Sequence, residues 1–119
     1  MNYLEATKEI AEVIPDIENE LIKENRIQSP YHTIQTFTER IKNLIRQNDR
    51  NLLFKCLKKL NTIYTNGDNV MKNAIENTFI YSLDNFTVFC SDEYRKMIFS
   101  CISEDLRKMY TRQIYCHGL

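Results

Sequence analysis

Histidine and cysteine carry most of the catalytic and metal chemistry available at neutral pH, and this sequence has two of the first and four of the second. His32 follows Pro30 in the first turn of an expected helix, with no acidic residue near it in sequence. A catalytic triad or a cysteine–histidine pair needs a base within reach of a nucleophile. The spacing supplies none, so His32 reads as a surface or partly packed side chain. Cys116-His117 offers two metal ligands, but zinc takes four at recognisable spacing, and Cys56, Cys90 and Cys101 stand alone. Helical bundles that hold two metals use Glu-x-x-His pairs, and neither histidine has Glu three residues before it. The only glycines, Gly67 and Gly118, leave no phosphate loop or dinucleotide fingerprint. The last four residues outline a prenylation signal, yet His117-Gly118 stands where aliphatic residues belong. The expectation is a protein with no enzyme activity, metal or cofactor.

Charge is the next candidate. The formal sum is zero, but residues 1–24 carry seven acidic side chains against Lys8 and Lys23. Residues 25–60 reverse this, with eight basic side chains against Glu39 and Asp49. The favoured reading is that acidic first helices lie against basic middle ones, the charges meeting at a rim. The sharper reading is two binding surfaces of opposite sign. On that reading Glu5, Glu9, Glu12, Asp16 and Glu20 would face a basic protein partner. Arg40, Arg46, Arg50, Lys55, Lys58 and Lys59 are the alternative, a nucleic-acid footprint on the third and fourth helices. The turn at Gln47–Asp49 lacks the glycine common in a helix-turn-helix, and overall neutrality weakens the electrostatic drive toward nucleic acid. Among the aromatics, Tyr81, Phe99 and Tyr115 lie off the apolar stripes. They are candidates for an exposed patch of the kind interfaces use as anchors.

These residues need a frame to hold them. With 119 residues, 43 % of them apolar, the chain is long enough for one domain with its own core. Scarce glycine and proline favour helices. No basic start with an apolar run marks a secretory signal, and no stretch approaches the ~20 apolar residues that cross a bilayer. A cytoplasmic protein with reduced thiols is expected, Cys56 and Cys101 serving as small core side chains.

Apolar spacing and start signals divide the chain 1–119 into about six helices, an antiparallel bundle or short helical array. The first runs from about Asn2 to Val13, with Tyr3, Leu4, Ile10 and Val13 on its apolar side. Pro15 breaks it, and a short acidic second helix is anchored by Ile17, Leu21 and Ile22. Asn25 to Gln28 connects. Ser29-Pro30 starts the third helix, whose stripe begins at Tyr31, and Asp49 caps the fourth. Gly67 ends the fourth in a left-handed conformation, and Asp68 caps the fifth. The fifth is the organising helix. Its stripe of Val70, Met71, Ala74, Ile75, Phe79, Leu83 and Phe86 is wide enough to meet neighbours on more than one side. Asn77 would need a hydrogen-bond partner if buried there. Thr87 to Cys90 is read as a buried connection. Ser91 caps one last helix, reaching Ile114, with Glu104 and Lys108 paired on its outside.

The fifth helix also carries a resemblance. Gly67, Asp68 and the run Asn73-Ala74-Ile75-Glu76-Asn77, followed by Tyr110 and Gln113, are similar to a segment shared by small uncharacterised bacterial helical proteins. By size and architecture such proteins resemble immunity proteins, which neutralise a toxin. What the resemblance implies is a non-enzymatic helical binding protein of the immunity type, acting on a partner protein. The alternative is a small nucleic-acid-binding regulator using the basic helices.

Overall fold

The first helix begins where the sequence can satisfy its open amides. In the computed structural model, which describes residues 1–23 and 29–117, α1 (Tyr3–Ala11) is closed by a capping box. Asn2 accepts from the Glu5 N–H, and the Glu5 carboxylate accepts from the Asn2 N–H. The chain turns over buried Ile14 into α2 (Ile17–Lys23). The Asn25–Gln28 connection and the Ile22 side chain lie outside the described residues. In α3 (Pro30–Gln47), Ser29 Oγ accepts from the His32 N–H at 3.1 Å. Asn48 ends that helix at φ 58°, the single positive φ among described non-glycine residues. This left-handed turn lets Asp49 cap α4 (Arg50–Asn66) at once.

Gly67 does not take the left-handed conformation expected of it. Its backbone is extended, φ −69° and ψ 152°. Glycine is needed for closeness instead, because a Cβ there would meet the Ile63 carbonyl oxygen at 2.7 Å. Asp68 caps α5 (Asn69–Ile75), which runs through a π-helical turn (Glu76–Ile80) into α6 (Tyr81–Thr87). The π turn was not expected, and the spacing accounts for it. Ile75, Phe79, Leu83 and Thr87 are all buried at intervals of four. On a regular α-helix that interval drifts by about 40° per step. One wider turn takes up the drift and keeps the row on the core.

The expected single last helix divides into α7 (Asp92–Cys101) and α8 (Glu104–His117). Ile102 is extended, and Asn61 of α4 reads the break like a strand edge. Its Nδ2 donates to the Cys101 carbonyl at 2.9 Å, and its Oδ1 accepts from the Ser103 N–H at 3.0 Å. Ser103 Oγ then accepts from the Leu106 N–H.

No strand occurs among the described residues, so the fold is an all-α helical array around one core. α3 packs against α1, α2, α4, α5 and the π turn; α8 also packs on the π turn. Phe37, Ile41, Leu53, Leu57, Ile63, Met71 and Phe79 fill the centre. The radius of gyration, 13.7 Å, is close to the ~13.5 Å expected for one compact domain of this length. No described helix is long and apolar enough to cross a membrane.

Several single positions differ from expectation. His32 is buried, 3 % exposed, because it shares the inner side of α3 with Thr33 and Thr36. Leu4, Tyr31 and Val70 face outward despite their place on the stripes. Asn77 is exposed and needs no buried partner. Cys56 is core, whereas Cys101 is half-buried. The Thr87–Cys90 segment is not a buried connection. Thr87 is buried as the end of α6, but Val88 is 64 % and Phe89 97 % exposed. Glu104 and Lys108 pair at 3.8 Å, as expected.

Candidate protein-binding face

The five acidic residues singled out by the sequence all have work inside the molecule. Glu5 closes the α1 capping box. Glu9 and Glu12 converge on Lys59 of α4, at 2.7 and 2.5 Å. Asp16 and Glu20 converge on Arg40 of α3, Asp16 through both carboxylate oxygens at 2.9 and 3.1 Å and Glu20 at 2.6 Å. The hydrogen bond and charge of Lys59 hold the Glu12 carboxyl below its usual range, and the same contact with Glu12, then Glu9, pushes Lys59 up. The acidic first helices therefore lie against the basic middle ones, with the charges meeting at the rim.

The basic footprint is divided by the same contacts. Arg40 and Lys59 are neutralised, and Arg50 stacks its guanidinium 4.7 Å over the Tyr94 ring while its Nε donates to Asn48. Arg46, Lys55 and Lys58 remain exposed. Two of these, Lys55 and Lys58, flank a shallow hollow of about 260 Å³ with Val13 and Thr62.

The aromatic candidates separate too. Phe99 packs edge-on against Tyr110 at 4.9 Å under the Arg95 guanidinium, so it is structural. The Tyr115 side chain, with Cys116 and His117, lies outside the described side chains. Tyr81 is 68 % exposed. Val88 follows it by seven residues, two helical turns along the same side of α6.

The feature that sequence reasoning missed lies just beyond. Phe89 projects into solvent beside an open cleft of about 420 Å³ between the ends of α3 and α6 and the start of α7. Ile45 and Phe86 give this cleft an apolar floor, and Phe86 is held by its ring contact with buried Phe79, 5.5 Å between centroids. Arg46 stands on the rim. Tyr94 lines the same cleft, and its buried hydroxyl has no hydrogen-bond partner among the described residues. Burial pushes both the Tyr94 hydroxyl and the Cys90 thiol up, so neither is ionised near neutrality. The cleft brings together no base and nucleophile, and no three metal-ligating side chains cluster among the described residues. What the arrangement can do is hold an apolar side chain beside a cation.

A family model described as a domain of unknown function, DUF7674, matches residues 7–116. No curated protein and no solved structure matches the chain.

Proposed function

The chain belongs to the DUF7674 family, and we propose that it is a non-enzymatic protein-binding module whose contact face is the Phe89 turn with its cleft. One observation carries this reading: a phenylalanine 97 % exposed at the edge of an apolar-floored cleft. Leaving such a ring in water forgoes about 2 kcal/mol of burial. Aromatic side chains beside desolvated pockets are what binding energy concentrates on. Val88, next in the chain to Phe89, is 64 % exposed as well, whereas Tyr81 lies farther back on α6 beyond the exposed Asp84 and Asn85. The acidic helices are a weaker choice, since four of their carboxylates are already held in ion pairs with Lys59 and Arg40. Size and all-helical architecture suit an inhibitor of the immunity type, one that occludes its partner. The free thiols Cys56, Cys90 and Cys101 suit a reducing compartment such as the cytoplasm.

The test is affinity capture from the source organism after nuclease treatment, comparing wild type with Phe89→Glu. Wild type should recover a stoichiometric protein that the variant does not. Recovery that nuclease abolishes and Phe89→Glu leaves intact would sink this reading in favour of Arg46, Lys55 and Lys58 on nucleic acid.

A further inference from the structure

We propose that the Phe89 face closes on a second copy of the chain, Phe89 of each copy seated in the cleft of the other. This rests on the reading that the Phe89 turn is a binding face, and it names the occupant. A projecting ring and a cleft lie side by side on one surface. A two-fold rotation sets each opposite its counterpart, so the surface is self-complementary.

Charge points the same way. The cleft joins an apolar floor, Ile45 and Phe86, to the cation Arg46. A ligand for it would carry an apolar anchor followed by carboxylates. The turn itself has that chemistry: Phe89 is followed by Ser91, Asp92 and Glu93. Arg46 enters no ion pair with the described residues, and neither do Asp92 and Glu93, although all three are exposed. The end of α3 therefore offers a cation, and the start of α7 two carboxylates, that have only their helix ends and no ion-pair partner among the described residues. Two-fold pairing brings them together twice.

Sedimentation velocity of the full chain, from micromolar to near-millimolar concentration, reads this directly. Wild type should pass from 14.2 kDa to twice that mass as concentration rises. Phe89→Glu should weaken association by about 30-fold or more. Its circular dichroism should be unchanged, because the ring touches little in its own chain. Arg46→Glu and the double variant Asp92→Lys, Glu93→Lys should each be monomeric alone and associate when mixed, since opposite charges then meet at both contacts. Wild type monomeric throughout would overturn the proposal, as would a Phe89→Glu chain that dimerises like wild type or a mixture that stays monomeric. A monomeric wild type whose captured protein is still lost with Phe89→Glu would overturn self-association alone and leave the binding reading standing.

Discussion

Gln113, near the end of α8, donates through Nε2 to the main-chain carbonyl of Glu76, 2.8 Å away at the first residue of the π turn. A π turn spaces its carbonyls unlike a regular helix, and a side-chain amide from a neighbouring helix adds a second donor to one of them. The same contact docks α8 on the centre of the array. Replacing Gln113 with Leu removes the donor and should cost about 1 kcal/mol, lowering Tm by about 4 °C. Gln113→Glu should cost more, because a carboxylate would face the carbonyl. Calorimetry on both variants checks this; a Gln113→Glu protein as stable as wild type would mean that α8 is held by other contacts.

Tyr64 makes the complementary contact from α4, donating its hydroxyl to Glu76 Oε1 at 2.7 Å. Burial, then the Glu76 hydrogen bond and charge, pushes the Tyr64 hydroxyl far above its ordinary value of 10.0. A group whose folded pKa is raised contributes stability that is present below its unfolded pKa and lost as pH rises through the folded one. Unfolding should therefore set in above about pH 10, with Tyr64 ionising only as the chain opens. In Tyr64→Phe the baseline at pH 7 should fall by about 1.5 kcal/mol, and the alkaline decline should be shallower. Tyrosinate absorbance followed alongside circular dichroism tests the coupling; ionisation of every tyrosine before any loss of helix would contradict it.

The parts of this fold that could be read from sequence are those whose signals sit within one turn. Ser29, Asp49, Asp68 and Ser91 each cap a helix through an amide three residues on, and all four were legible. The break at Ile102 was masked because Tyr94, Ile98, Ile102 and Leu106 stay buried at intervals of four straight through it. Ser103 before Glu104 and Asp105 was the available signal, a cap followed by an acidic first turn. Its confirmation comes from Asn61, about forty residues away. The Lys59 and Arg40 clusters were visible only as an imbalance of charge between residues 1–24 and 25–60, since the pairing needs the helices placed. Phe89 was misread for the opposite reason. An apolar run says nothing about whether a neighbour exists to cover it, and here none does.

The Lys59 cluster makes a prediction for the acid side. Glu12 is held below the usual carboxyl range by the hydrogen bond and charge of Lys59. A depressed carboxyl contributes stability that is present above its unfolded pKa and lost as pH falls through the folded value. Wild type should thus lose stability as pH falls below about 4.5. Lys59→Met, which keeps the stem packed, should be destabilised by about 1 kcal/mol at pH 7. Its acid decline should be shallower and its sensitivity to salt reduced. Urea unfolding at pH 7 and pH 4 tests the difference; parallel pH curves for the two proteins would mean that Lys59 leaves the Glu12 carboxyl alone.

Burial pushes the Cys56 thiol up to about 11, so at pH 8 only about one molecule in a thousand carries the thiolate there. Cys90, half-buried on the cleft, is also raised by burial but remains in reach of solvent. A maleimide or disulfide reagent should modify Cys90 well before Cys56 in the native protein. Cys56 should react only as fast as the chain unfolds. Mass spectrometry of peptides from a labelling time course checks the order; early modification of Cys56 would require α4 to open locally around Leu53 and Leu57.

Gly67 supplies the sharpest test of the packing, because two effects of opposite sign meet there. Its φ of −69° is open to any residue, so Gly67→Ala should gain about 0.4–1 kcal/mol by reducing the freedom of the unfolded chain. Against this, the new Cβ would lie 2.7 Å from the Ile63 carbonyl oxygen and 3.0 Å from Met71 Cβ. Neither neighbour is the free end of a flexible side chain. The carbonyl belongs to the last turns of α4, and Met71 is fully buried against the core. Relief has to come from moving α4 and α5 apart, at an overpacking cost of about 1–3 kcal/mol. The clash should win, leaving Gly67→Ala less stable than wild type by about 1 kcal/mol. Denaturant unfolding decides between the two effects: a variant more stable than wild type would show that the α4–α5 turn widens freely and that the close approach at Gly67 constrains nothing.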